Sequence, residues 1–170
     1  MSVGNRFSSQ LSYMERHNLD VCGSWIETIG TCIRSTIKYP VSDADIKSMM
    51  LFNSPLAHPS VMMKSFVIKK NSYKKCDMYA EDYGLWVSLA IDNYKFGNIP
   101  EILLNYRFTN ETHSRQSIKI LWLQGLIGFN GVKTLKQPIW MGIVAFFPLI
   151  RSLFPRKIEH FIYKAFKRFD

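Results

Sequence analysis

Ala80-Glu81-Asp82-Tyr83-Gly84-Leu85-Trp86 decides how this chain is read. Two adjacent carboxylates open an apolar run, and Leu85, Leu89 and the Trp86/Ala90 pair give residues 81–91 the broad apolar face of a packed helix. Acids in the first turn suit the positive end of the helix dipole. Working outward, Phe7, Leu11 and Met14 recur at helical spacing and predict a helix over 6–17. Residues 21–29 and 31–39 are β-rich runs, the second stopped by Pro40. Ser42, three residues before Asp45, predicts a capped helix through Met50, which Asn53-Ser54-Pro55 breaks. Residues 60–64 read as a short buried strand and 66–70 as a helical turn ending near Asn71. Residues 95–98 and 102–108 read as two strands on either side of Pro100. Alternating strands and helices over 1–110 predict an α/β or α+β domain.

Composition bounds the rest. The chain of 170 residues can bury one real core, and 47% hydrophobic with 14% aromatic content excludes a disordered chain. Residues 1–114 hold 12 Lys+Arg against 11 Asp+Glu, whereas residues 115–170 hold 10 against only Glu159 and Asp170. The excess positive charge therefore belongs to the C-terminal third. Cys22, Cys32 and Cys76 are odd in number and lack C-x-x-C spacing, which points away from a disulfide framework or zinc site and toward a reducing compartment. No basic n-region followed by an apolar h-region opens the chain, so no secretory signal peptide is expected.

Residues 1–114 and 115–170 read as two regions. In the second, Ile118, Leu121, Trp122, Leu126 and Phe129 form a helical stripe that is expected to break near Asn130-Gly131. Residues 138–150 follow without a charge, closed by Arg151, Arg156 and Lys157. That run is shorter than the roughly 20 apolar residues of a membrane-spanning helix. An interfacial segment with a basic flank is expected instead, and residues 157–170 repeat the design. An anionic membrane surface is the partner this pattern suits. Nucleic acid is not, because the basic residues alternate with long aliphatic runs rather than with stacking aromatics.

Taken singly, the notable residues have ordinary structural explanations. Glu81 and Asp82 suit a helix start, His58 a loop hydrogen bond, and Trp86 and Trp25 a core. Arg107, in an apolar strand, needs an acidic partner or an anionic ligand. Asp43-Ala44-Asp45 has the letters of a metal-binding Asp-x-Asp but reads as helix capping.

Their order is less ordinary. Asn53-x-Pro55-x-x-His58-Pro59-Ser60-Val61-Met62 is followed by Ala80-Glu81-Asp82-Tyr83-x-Leu85-Trp86 and then Lys95-Phe96-x-Asn98-x-Pro100-Glu101-x-Leu103-Leu104-x-Tyr106-Arg107. This succession closely resembles the C-terminal half of family-2 glycosyltransferases of the GT-A fold. The opening run from Asn5-Arg6-Phe7 to Met14-Glu15 resembles the helix after that family's metal-binding loop, and Asp20-Val21-Cys22-Gly23-Ser24-Trp25 the strand after it. The resemblance covers residues 5–115. It departs at Thr109, where many family members carry a histidine.

The resemblance implies a partial GT-A-like, nucleotide-diphospho-sugar transferase fold, lacking its N-terminal nucleotide-binding half and extended by a C-terminal amphipathic helical region. It implies an inverting transfer of sugar from a nucleotide-sugar donor to a glycan or lipid-linked acceptor, as in surface polysaccharide or lipooligosaccharide synthesis. Asp82 would be the base that deprotonates the acceptor hydroxyl, with Glu81 its supporting neighbour. Tyr83 and Trp86 would shape the acceptor side, with His58 a further substrate contact, and Arg107 would lie near the donor diphosphate. Family members use Mg or Mn held by an Asp-x-Asp loop, which this chain does not contain, so no metal ligand is assigned and the isolated chain is expected to be inactive. A cytoplasmic, peripheral location at the inner face of the membrane is expected, the basic, apolar C-terminal third supplying the attachment. The alternative is a non-catalytic membrane-surface module derived from such an enzyme.

Overall fold

The computed structural model describes residues 1–30, 35–50, 53–73, 80–107, 118–134 and 139–152. Its frame is a mixed sheet built on one strand, β1 (Val21–Ile29). Along one edge β1 pairs in parallel with β4 (Phe96–Arg107) from Val21↔Phe96 to Ile29↔Arg107. The other edge is shared. β2 (Ser35–Ile37) runs antiparallel to Ile26–Thr28, and β3 (Met62–Met63) antiparallel to Val21 and Cys22. On the far edge of β4, Val3 N–H donates to Leu103 O (3.0 Å) and Asn105 N–H to Met1 O (2.8 Å). A parallel pair needs a crossover, and this one has helices on both faces.

Alternation along β1 separates those faces. Cys22 turns toward α1 (Arg6–His17), where it packs with Met14 and Leu19. Val21 turns to the larger core of Ile46, Met50, Leu56, Val67, Leu85, Trp86, Leu89 and Phe96. That core brings together α2 (Asp43–Met49), α3 (Ser65–Lys70) and α4 (Glu81–Ile91). Burial pushes the Cys22 thiol up to about 11, although hydrogen bonds at Gln10 and Ile99 act the other way. It behaves as a small core hydrophobe.

Several expectations carry over residue by residue: the helix over 6–17, the strand over 21–29, the helix over 81–91 and the turn ending at Asn71. The Ser42 cap is present, with Asp45 N–H donating to Ser42 Oγ at 3.2 Å. Asp43 is committed too: Oδ1 accepts the Phe96 N–H (2.9 Å) and Oδ2 a proton from Lys47 (2.8 Å).

Other expectations need correction. Among the described residues, Phe96–Arg107 is one strand where two were expected, and residue 108 lies outside the described residues. Between Ser24↔Ile99 and Trp25↔Ile102, Pro100 and Glu101 have no opposite number, so the residue that cannot donate sits in a bulge and the ladder resumes beyond it. Residues 60–64 contain only the two-residue β3, because His58–Ser60 winds into a 3-10 turn first. Of the described residues 35–39, Ser35–Ile37 is strand, and residues 31–34 lie outside the described residues. Helix α5 (Ile118–Thr134) does not break at Asn130-Gly131. There Gly131 lets Val87 of α4 approach: a Cβ would stand 2.9 Å from Val87 Cγ1.

After α5 come two short helices, α6 (Ile139–Val144), inside the uncharged run, and α7 (Phe147–Ser152), which ends past it at Arg151-Ser152; both fold back on α5. Gly125 receives the Phe146 ring and Gly142 the Phe129 ring. Sandwiched between sheet and α5, α4 buries Tyr83, Gly84, Leu85, Trp86, Val87, Leu89 and Ala90. Residues 153–170, with the expected second amphipathic segment, lie outside the described residues. No helix among the described residues is long and apolar enough to cross a membrane.

Two outcomes follow. A Cβ on Gly23 would stand 2.1 Å from Oδ1 of Asn98, whose amide is pinned to Pro40 O (2.7 Å) and Pro55 O (3.0 Å). Gly23→Ala is expected to cost about 1–3 kcal/mol by overpacking, read by denaturant unfolding. Asp20 accepts from Lys64 Nζ and from Lys95 N–H, both at 3.0 Å. Burial pushes its carboxyl up, but those hydrogen bonds and the two ammonium charges outweigh it and hold the group below its ordinary value. A depressed carboxyl stabilises the fold above its unfolded value and loses that contribution as pH falls through its folded one. Melting temperature is therefore expected to drop through the acid range, and less steeply in Asp20→Asn.

Candidate active site

Residues from three separate stretches meet at the N-terminus of α4. Ala80 is the N-cap and has no side chain to cap with. The Asp82 carboxylate takes up part of that role, Oδ1 accepting the Tyr83 N–H at 2.7 Å. Its other oxygen, Oδ2, faces His58 Nδ1 at 4.0 Å. Asp82 is one-third exposed, so the carboxylate is held from behind and open in front. Glu81 beside it is exposed.

His58 is placed by an anchored turn. Arg6 Nη1 donates to Pro59 O (3.0 Å), and Gln10 Nε2 donates to Ser60 O (2.9 Å) and to Cys22 O (3.0 Å). Ser60 Oγ donates to Ala57 O (2.8 Å) and accepts the Ser24 N–H (3.1 Å). Ala57 packs with Ile26 and Leu104, beneath the carboxyl-terminal halves of β1 and β4. This is the end of a parallel pair where α/β sheets commonly bind ligands. On its outer side, His58 Nε2 lies 3.2 Å from the Tyr73 hydroxyl, and the ring stands edge-on to Trp86 at 5.9 Å. Burial, then the negative charges of Asp82 and Glu81, hold the Tyr73 phenol above its ordinary value. It stays protonated at neutral pH.

The structure thus brings Asp82, Glu81, His58 and Trp86 together. Trp86, one helical turn past Asp82, is fully buried and meets the site through the His58 ring. Tyr83 turns inward, its hydroxyl donating to Met50 O, and burial pushes its phenol far up. Arg107 is exposed at the end of β4, opposite Ile29, and no hydrogen bond or ion pair among the described residues joins it to Glu81, Asp82 or His58. Arg6, Gln10, Ser60 and Tyr73 were missed by sequence reasoning. Arg6 and Gln10 had a signal: two polar residues on the Met14 face of an otherwise amphipathic helix. Tyr73 had none.

A divalent ion does not fit what is here. No three His, Cys, Asp or Glu among the described residues come together to hold one, and Asp43 and Asp45 spend their oxygens on Phe96, Lys47 and Ser42.

Comparison with known proteins adds a class. The chain is 31% identical over 123 residues to an O-antigen biosynthesis glycosyltransferase of Escherichia coli, covering 69% of this chain and 48% of that protein. Its relatives are glycosyltransferases. Over 123 residues it is 29% identical to an uncharacterised glycosyltransferase of Methanocaldococcus jannaschii, covering 70% of this chain and 42% of the relative. It is 28% identical over 115 residues to the UDP-Gal:alpha-D-GlcNAc-diphosphoundecaprenol beta-1,3-galactosyltransferase of Escherichia coli, covering 66% and 42%. The chain spans less than half the length of each of these three. No family model matches, and no solved structure matches.

If the Ser60 hydroxyl is what seats the His58 turn, removing it leaves the buried Ser24 N–H without its acceptor. Ser60→Ala is expected to lower stability by about 1–3 kcal/mol, and a Ser60→Thr protein to regain part of that, both read by thermal unfolding.

Proposed function

We propose that residues 1–114 form the acceptor side of an inverting, family-2, GT-A-type glycosyltransferase domain, with Asp82 as its general base. The acceptor hydroxyl oxygen attacks the anomeric carbon of a nucleotide-sugar, and the carbon–oxygen bond to the diphosphate breaks. The nucleoside diphosphate leaves with the electron pair, and the hydroxyl proton passes to Asp82. The observation that carries this reading is the Asp82 carboxylate itself: fixed through Oδ1, flanked through Oδ2, and open to solvent at the mouth of the sheet. Glu81 supports it with charge, and Arg107, at the same end of the sheet, is the residue assigned to the donor diphosphate. His58 borders the acceptor. Tyr83 and Trp86 shape that side from within, as buried supports.

The galactosyltransferase relative's name includes a nucleotide-sugar and a lipid-diphosphate acceptor. A nucleotide-sugar donor and a glycan or lipid-linked acceptor, in surface polysaccharide synthesis, are the substrates proposed here. Apart from the diphosphate contact of Arg107, donor and metal binding are assigned to a nucleotide-binding half outside these 170 residues, where Mg or Mn would act. The 170-residue chain alone is expected to show no transfer and no donor hydrolysis. Joined to a nucleotide-binding half, the Asp82→Asn protein is expected to lose about 10²–10⁴-fold in kcat while nucleotide-sugar binding by calorimetry persists. Undiminished turnover would remove Asp82 from the role.

A specific observation favours membrane contact as a second feature. Ile118, Trp122, Trp140 and Ile143 are each more than half exposed, on a region of residues 118–152 with four Lys+Arg and no Asp or Glu. Indole rings and scattered cations suit the headgroup layer of an anionic bilayer, and a peripheral place at the cytoplasmic face of the membrane is the location proposed. Trp140→Ala is expected to weaken co-sedimentation with phosphatidylglycerol vesicles and leave unfolding unchanged. Equal sedimentation of the two proteins would count against this surface.

A further inference from the structure

Asp82 and Tyr73 lie on either side of one imidazole, and the chemistry of the two partners favours one placement of its proton. An ionised carboxylate only accepts, so the His58 nitrogen facing Oδ2 at 4.0 Å is favoured as N–H and disfavoured as a lone pair. A neutral imidazole carries one proton, which leaves Nε2 as the acceptor. The Tyr73 hydroxyl, 3.2 Å away, can donate to it. We propose that Tyr73 and His58 are positioning residues for Asp82, acting through a one-way chain in which the Tyr73 hydroxyl donates to His58 Nε2 and His58 holds its proton on Nδ1 toward Asp82 Oδ2.

The surroundings suit a fixed ring. The turn bearing His58 is tied to α1 through Arg6 and Gln10 and to β1 through Ser60, and the edge contact with Trp86 sets the ring plane. Tyr73 keeps its proton for the reason given above. The chain ends at Asp82 and does not carry a proton away from it, because Nδ1 is already occupied. Its effect is to orient Oδ2, with a lone pair left for an incoming hydroxyl. The gap of 4.0 Å is a charge–dipole contact, of the kind that tightens when a substrate closes over a site.

The meaning of this arrangement rests on Asp82 being the base, but the tautomer does not, and it can be read without any turnover. Long-range proton–nitrogen NMR of the 170-residue chain, at a pH where the ring is neutral, distinguishes the two neutral forms. His58→Gln identifies the signal among the four histidines. The Nδ1–H form is expected to dominate in the parent protein and to give way to the Nε2–H form in both Tyr73→Phe and Asp82→Asn, with unchanged melting curves. A dominant Nε2–H form in the parent, or a tautomer ratio that fails to move in either variant, overturns the proposal. Loss of the base reading would show elsewhere, as an Asp82→Asn protein with full turnover and the same NMR response.

Discussion

One carboxamide ties the molecule together. Gln10, fully buried, donates to Cys22 O on the central strand and to Ser60 O in the His58 turn. Three separate stretches of chain are joined by one side chain in a place closed to water. Its Oε1 and the neighbouring Arg6 Nε have no hydrogen-bond partner among the described residues. Such unpaired buried atoms cost on the order of 1–3 kcal/mol each, so the junction is held at some expense. A Leu at position 10 would fill the space and leave the Cys22 and Ser60 carbonyls without this donor, the turn that carries His58 keeping only its Arg6 and Ser60 ties.

The site inherits its order from this frame. Parallel pairing of β1 and β4 sets a carboxyl edge, and Ala57 wedged against Ile26 and Leu104 lifts the turn to that edge. Helix α4 arrives there with its amide end first, where carboxylates are welcome. Nothing in this sequence of placements requires a flexible element. Arg107 stands on a strand end, His58 on an anchored turn, and Glu81 and Asp82 on the first turn of a helix packed on two sides.

Much of this was legible because it is local. Ser42 and Asp45 announce a cap by spacing alone, and Phe7, Leu11 and Met14 announce a helix by period. Phe7 and Leu11 nevertheless lie on the exposed side, while Arg6 and Gln10 are buried, since distant carbonyls at Cys22, Pro59 and Ser60 reward polar groups there. Pro100 was read as a break because a proline forbids a ladder bond; the partner strand simply skips it, which only pairing reveals. Asn130-Gly131 predicts a break in the helical stripe, yet the helix runs through it. Here the missing side chain is what admits Val87. Asp82 and His58 could be named from a familiar order of motifs, but their facing nitrogen and oxygen, and Tyr73 behind them, depend on a fold that joins residues far apart in sequence.

Helix α5 carries a small residue wherever a neighbour crowds it: Gly125 under Phe146, Gly128 beside Tyr83 and Ala145, Gly131 against Val87. Among its large apolar side chains, Leu121 and Val132 are buried and Phe129 packs on Gly142, whereas Ile118, Trp122 and Leu126 stand on the exposed side. The two jobs of the helix are thereby written in different letters. The glycine side is set by sterics and tolerates almost no change. The outer side answers to whatever medium it meets, and can be rewritten for a different one while the domain beneath stays as it is.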